Sequence, residues 1–221
     1  MQGLVLRFEK SRDIRFIGHL DLHRALGRTF RRAGLPLAYS SGFNPQPQLV
    51  IARPLPVCAW GSNELLHARF DQAVAPLEVM KALAKATPPG LSFLSAEPYE
   101  GKSPFAEIDQ EEYRLVFCAT SPPEPSELNA QAQSLLAEGF SVARDHKGKQ
   151  VSLTLAEYLV AFEAVGCGEA GYNVSYTARL DLQRALRPAE VMKLLQRLVP
   201  DAQLLELERI RLIASNGRNL V

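Results

Sequence analysis

The chain opens with GLVLRFEK, in which apolar and polar residues alternate and two charges close the run, the period-two pattern of a half-buried strand. SRDIRFIG reads as a loop. Over residues 20–33 the period becomes helical. On a wheel of about 100° per residue, Leu22, Ala25, Leu26, Thr29, Phe30 and Ala33 gather on one side and Arg24, Arg28, Arg31 and Arg32 on the other. Gly34, with Pro36 beyond it, stops the helix. LPLAYS predicts a short extended segment and SGFNPQP a turn. QLVIARPLP predicts a strand with Pro54 and Pro56 at its exit. ELLHARFD predicts another strand, PLEVMKALAKAT a helix, and LSFLSAEP a closing strand after Pro88-Pro89-Gly90.

Residues 101–110 form a polar joint containing glycine and proline, and then the pattern starts again. EEYRLVFCAT reads as a strand, and SELNAQAQSLLAEG as a helix with Ser126 as N-cap and Gly139 at its end. SVARDHKGKQVSLTL suggests a hairpin around Lys147-Gly148, and LAEYLVAFEAVG fits helix or strand. YNVSYTARLDLQ alternates as a strand, PAEVMKLLQRLVP is helical, and AQLLELERIRLIAS is a final strand.

The recurrence is visible in the letters. Ala-Arg-Phe-Asp at Ala68 corresponds to Ala-Arg-Leu-Asp at Ala178, and Glu-Val-Met-Lys begins at both Glu78 and Glu190. The offset is 110 residues at the strand and 112 at the helix, with order and following strand preserved, so an internal duplication is expected. Each half reads strand–helix–strand–strand–helix–strand. The expected fold is therefore α+β, with tandem ferredoxin-like (βαββαβ) halves built on antiparallel sheets, residues 1–100 and 111–221, joined by 101–110.

Composition narrows the functional classes. No apolar run approaches the roughly 18 residues of a membrane span, and the N-terminal segment becomes charged too early for a signal peptide. Cys58, Cys118 and Cys167 are far apart and form no CxxC pair, which suits reduced thiols in the cytoplasm rather than a disulfide framework or a thiolate zinc site. The net charge of +1 hides an asymmetry: residues 1–53 carry nine Lys or Arg and three Asp or Glu, a local +6 offset by −5 over the rest. Such a field suits a polyanion or an acidic partner, and equally a solvated arginine face.

Arginine offers planar, multi-donor recognition of phosphate, so Arg24, Arg28, Arg31 and Arg32, with Arg15 and Arg53 near them in sequence, are candidate nucleic-acid contacts. His19 and His23 stand four apart at the start of the helix. They lack a third ligand on the same side and an HExxH motif, so no metal or other cofactor is expected. Either histidine remains a candidate general base, although no paired acid or base is evident. In the turn, Tyr39, Ser40, Gly42, Phe43, Asn44, Pro45 and Gln46 form the candidate loop. Gly42 permits backbone closed to other residues, and Pro45 stiffens the exit and extends Asn44. Phe43 is expected to anchor the loop in the core, the alternative being a stacking surface for a base, and Tyr39 carries the same alternatives.

The stretch RFIGHLDLHRALGRTFRRAGLPLAYSSGFNPQPQLVIARPLPVCAWGSNE resembles a bacterial family of radical-SAM-linked proteins, DUF2344, whose pattern runs RF-I-S-HLDL, a basic RRA, LP-AYS-GFNPHP and an A-PLP-G exit. Three positions depart from that pattern: Gly18 for serine, Gln46 for histidine and Cys58 for glycine. The resemblance implies a partner, a cobalamin-binding radical SAM protein fused to or encoded beside such chains. No CxxxCxxC motif is present here, so this chain does not itself supply a cluster site of that kind.

Three functions fit these residues. One is a non-catalytic RNA-binding or substrate-delivery module associated with a radical SAM enzyme. Another is an RNA-processing nuclease using His19 or His23. The third is an interaction module docking an acidic partner surface. The first is favoured, and whether the chain is an enzyme stays open with the balance against it.

Overall fold

The computed structural model describes residues 2–101, 104–146, 148–168, 171–180 and 185–214. The fold is α+β, with four α-helices among the described residues and antiparallel strand pairing. Contacts divide the chain into two compact units, Met1–Ile108 with Arg209–Val221, and Asp109–Glu208.

In the first unit the elements follow as β1 (Gln2–Lys10), α1 (His19–Arg32), β2 (Leu49–Ile51), β3 (Ala59–Phe70), α2 (Pro76–Ala86) and β4 (Leu91–Tyr99). β1 lies between β4 and β3, and β2 pairs with β3. Period-two alternation sends Leu4, Leu6 and Phe8 of β1 toward the same core as Leu66, Ala68 and Phe70 of β3. Leu22, Leu26 and Phe30 of α1 and Val79 and Leu83 of α2 complete that core. The opposite face of the sheet packs Val5 and Leu65 with Leu212.

The second unit runs β5 (Gln110–Cys118), α3 (Pro125–Ala137), β6 (Ser141–His146), β7 (Lys149–Thr154), β8 (Leu159–Gly168), β9 (Gly171–Arg179), α4 (Pro188–Leu198) and the start of β10 (Gln203–Ile213), whose residues from Arg209 onward belong to the first unit. Its strand order is β10-β5-β9-β8, with β6 and β7 as a separate hairpin. Tyr113 and Tyr176, paired across β5 and β9, stack with ring centroids 5.3 Å apart. Arg144 of the hairpin bonds Glu190 in the first turn of α4, so a buried ion pair fixes the inserted strands. Both α2 and α4 begin with proline and run for 11 residues. The buried pairs Val79/Leu83 and Val191/Leu195 occupy corresponding positions at the 112-residue offset.

Several elements differ from expectation. Ser126 does not cap α3: Glu124 is the N-cap and Pro125 the first helical residue, because the fixed φ of proline suits the first helical position and leaves Ser126 inside the first turn. LAEYLVAFEAVG resolves into a 3₁₀ turn (Leu155–Glu157) and β8. A further 3₁₀ turn, Arg12–Ile14, lies within the expected loop SRDIRFIG. The strand expected over QLVIARPLP is confined to three residues, since Pro54 and Pro56 donate no ladder bond. Lys147 of the expected hairpin and the end of YNVSYTARLDLQ lie outside the described residues.

Among the described residues of the first unit two cations are wholly buried, Lys10 and Arg209. Lys10 continues the inward parity of Leu4, Leu6 and Phe8. Its ammonium donates to the carbonyls of Arg15 (3.0 Å), Ile17 (3.0 Å) and Ala59 (2.9 Å), one acceptor for each of its three protons. Arg209 pairs with buried Glu64 and donates to the carbonyls of Arg53 (2.9 Å) and Pro54 (3.4 Å). Gly61 is required beside this cluster, since a Cβ there would stand 2.5 Å from Oε1 of Glu64.

Burial lowers the Lys10 pKa from 10.5 to about 8, against the favourable charge of Glu64. Lys10→Met leaves three carbonyls without their donor and should lower unfolding free energy by about 3 kcal/mol in urea titrations. Because the folded pKa lies below the unfolded one, the unfolded chain binds more protons between pH 8 and 10.5. The stability gap between wild type and Lys10→Met should therefore widen as pH rises through that window.

Candidate functional site

The two buried cations act on the backbone that frames the basic helix and the turn. Lys10 holds Arg15 and Ile17 immediately before α1, and Arg209 holds Arg53 and Pro54 immediately after β2. Between these clamps α1 buries Leu22, Leu26, Thr29 and Phe30, so its opposite face is committed to solvent. Arg24, Arg28, Arg31 and Arg32 are all exposed. Arg24 pairs with Asp21 at 3.0 Å, both side chains about two-thirds exposed, which is worth little. Among the described residues Arg28 and Arg31 have no ion-pair partner, and Arg32 has a weak bond to Thr29 Oγ1 at 3.5 Å.

The turn approaches the helix at Gly27. A Cβ on Gly27 would lie 3.5 Å from Cγ of Pro47 and 3.9 Å from Cδ1 of Leu49, ordinary contact distances that place Pro47 and Leu49 beside this point of the helix. His23 fixes the neighbouring strand through a 3.0 Å bond between Nε2 and the Leu49 carbonyl. By helical geometry, Arg24, Arg28 and Arg31 lie within about 100° of Gly27 on the same flank, whereas Arg32 lies about 140° away. Arg32 lines a different groove with Lys85 at the end of α2.

The turn is closed by its own backbone. Ser40 N–H donates to the Gln46 carbonyl at 2.9 Å, Gln46 N–H donates to Ser40 Oγ at 3.0 Å, and Gln48 Nε2 donates to the Tyr39 carbonyl at 3.1 Å. Tyr39 bridges to Pro47, and Gly42 takes φ of 136°. The Gln46 side chain reaches only its neighbour, the Asn44 carbonyl. Closure uses the backbone of residue 46, which explains how glutamine is accommodated where the family pattern has histidine. Phe43 does not anchor this loop: it is fully exposed, at 111% of its reference area. The backbone bonds and prolines make an apolar anchor unnecessary.

Arg15 stands before α1, with its carbonyl against the loop that leads into β3. Its guanidinium lies 4.5 Å from the centroid of the exposed Phe16 ring, and its carbonyl also accepts from Cys58 N–H at 3.1 Å. Arg53 is half-buried at the exit of β2. His19 and His23 are near neighbours. Burial, with a smaller contribution from His23, lowers the His19 pKa. Its Nδ1 is buried without a partner, and His23 is occupied by the Leu49 carbonyl. Among the described residues no cluster of three or more His, Cys, Asp or Glu is placed to hold a metal ion. None of their helices is long and apolar enough to cross a membrane.

The other departures from the family pattern also have physical readings. Gly18 is the N-cap of α1 and supplies no side-chain bond, and its Cβ position is open. Cys58 is exposed and takes φ of 73°, a left-handed conformation that suits glycine. Gly18→Ser should raise stability by a few tenths of a kcal/mol and Cys58→Gly by about 0.5 kcal/mol, both read from denaturant midpoints.

The chain shares its fold with a chain of a Cbf5–Nop10–Gar1 complex (TM-score 0.53, 8% identity, covering 95% of this chain and 48% of that one). A chain of the archaeal box H/ACA sRNP Nop10–Cbf5 complex is similar (TM-score 0.50, 9% identity, 95% and 47% covered). The chain thus spans about half the length of these structural relatives. No curated protein sequence matches it. The pattern of one protein family matches residues 4–188, from the first strand through the basic helix and turn into the second unit. The chain therefore belongs to DUF2344, a family described as uncharacterized protein conserved in bacteria.

Proposed function

We propose that this chain is a non-catalytic RNA-binding or substrate-delivery module. The observation that carries the reading is the proximity of Gly27 to Pro47, which brings the exposed Arg24, Arg28 and Arg31 near a stiff, solvent-projecting turn. Arg28 and Arg31 have no ion-pair partner among the described residues and Arg24 has only the exposed Asp21, so guanidiniums on a helix whose other face is fixed in the core are available for phosphate. The structural relatives contribute fold, and one of them comes from an sRNP complex. The RNA reading itself rests on the arginines.

A radical SAM protein is the partner that the family resemblance suggests. Phe16 and Leu20, 62% and 69% exposed, give such a partner an apolar contact. For the architecture, we read residues 1–100 and 111–221 as duplicated ferredoxin-like halves with 101–110 between them. The element order, the strand orders β4-β1-β3-β2 and β10-β5-β9-β8, and the matched helices α2 and α4 support that reading.

Neutralising Arg24, Arg28 and Arg31 together to glutamine should weaken RNA binding and reduce the slope of log K against log salt by about 2, measured by anisotropy across a salt series. Arg32→Gln alone should change binding less than any of the three. Affinity and salt slope unchanged in the triple variant would eliminate this surface as the RNA site.

A further inference from the structure

The arginine stripe accounts for attraction to a polyanion without distinguishing a duplex from a single strand. The turn makes that distinction. Its tip carries a fully exposed phenylalanine, and Tyr39 at its base is 39% exposed. Turns are readily made from Gly, Pro, Asn, Asp and Ser, so Phe43 is not needed for the turn itself. Nor is the ring displayed on a loose loop, since the Ser40–Gln46 bonds, the Tyr39–Pro47 bridge and the prolines hold it. A preordered aromatic loses little entropy when a ligand covers it.

Pro47 lies four positions after Phe43, a span of at most about 14 Å, and Pro47 stands beside α1 at Gly27. The ring and the guanidiniums of Arg24, Arg28 and Arg31 are therefore close enough to meet the same short stretch of nucleic acid. An A-form duplex turns phosphates and ribose hydroxyls outward and keeps its base faces stacked inside. A protruding phenyl ring finds no partner there, whereas every unpaired base offers one.

Resting on the reading of this surface as RNA-binding, we infer that the RNA is single-stranded, with an unpaired base stacked on Phe43 and neighbouring phosphates held by Arg24, Arg28 and Arg31. Tyr39 stands at the base of the turn, where it can flank the stacked nucleotide.

The test compares a labelled single strand of about 12 nucleotides with the blunt duplex of the same sequence, at one salt concentration, for wild type, Phe43→Ala and Phe43→Trp. Wild type should prefer the single strand. Phe43→Ala should weaken single-strand binding roughly tenfold and leave duplex binding unchanged, while Phe43→Trp retains the single-strand affinity. An unchanged thermal midpoint is expected for Phe43→Ala, because the ring packs against nothing. Single-strand affinity insensitive to Phe43→Ala, or a duplex bound as well as the single strand, overturns the stacking inference while arginine-dependent RNA binding stands. Failure of wild type to bind either RNA overturns both.

Discussion

Lys10 and Arg209 spend their donors on backbone carbonyls at the two ends of one segment, and that arrangement underlies everything else at the site. A buried ammonium or guanidinium is costly unless every proton has an acceptor. Here the acceptors include the peptide groups that lead into α1 and out of β2, beside the Ala59 carbonyl and the Glu64 carboxylate, so satisfying the cations also fixes the path of the chain. Arg209 comes from the last strand and Lys10 from the first, which makes the placement of the basic helix a tertiary property of the first unit rather than a local one. With the ends held and Gly27 against Pro47 in the middle, the helix and the turn are disposed as one surface.

The exposed arginines then follow from the core. Leu22, Leu26 and Phe30 are buried completely or nearly so, and rotating α1 to hide its cations would expose them. Arg24, Arg28, Arg31 and Arg32 repel one another at spacings of three and four residues, by a few tenths of a kcal/mol per pair. Asp21 offsets part of this at Arg24, and Arg31 and Arg32 sit in the last turn, where the helix dipole favours positive charge. The remaining repulsion is tolerated because apolar burial on the other face outweighs it. A ligand bearing phosphates relieves it.

The period-two and period-3.6 patterns were sufficient for most elements, because the cores of both units are built from alternating or stripe-forming aliphatic residues. What the sequence could not show were interactions at long separation. Glu64 and Arg209 are 145 residues apart, and no local motif announces their pairing. Lys10 did carry a signal: it continues the inward parity of Leu4, Leu6 and Phe8, yet a charge at a strand end ordinarily means exposure. Phe43 was misread for the opposite reason. Its apolar character suggested burial, whereas the closure of the turn through Ser40 and Gln46 left the ring free. The arginine face was legible from the wheel, but its subdivision, with Arg32 turned to another groove, depends on which side of α1 meets Pro47.

Ultraviolet crosslinking of the protein to a photoreactive single-stranded RNA, followed by peptide mapping, examines the central claim most directly. The account requires crosslinked residues in two clusters, the exposed flank of α1 around Arg24 to Arg31 and the turn around Phe43. Crosslinks confined to the second unit, or to the sheet face of Val5 and Leu65, would contradict it.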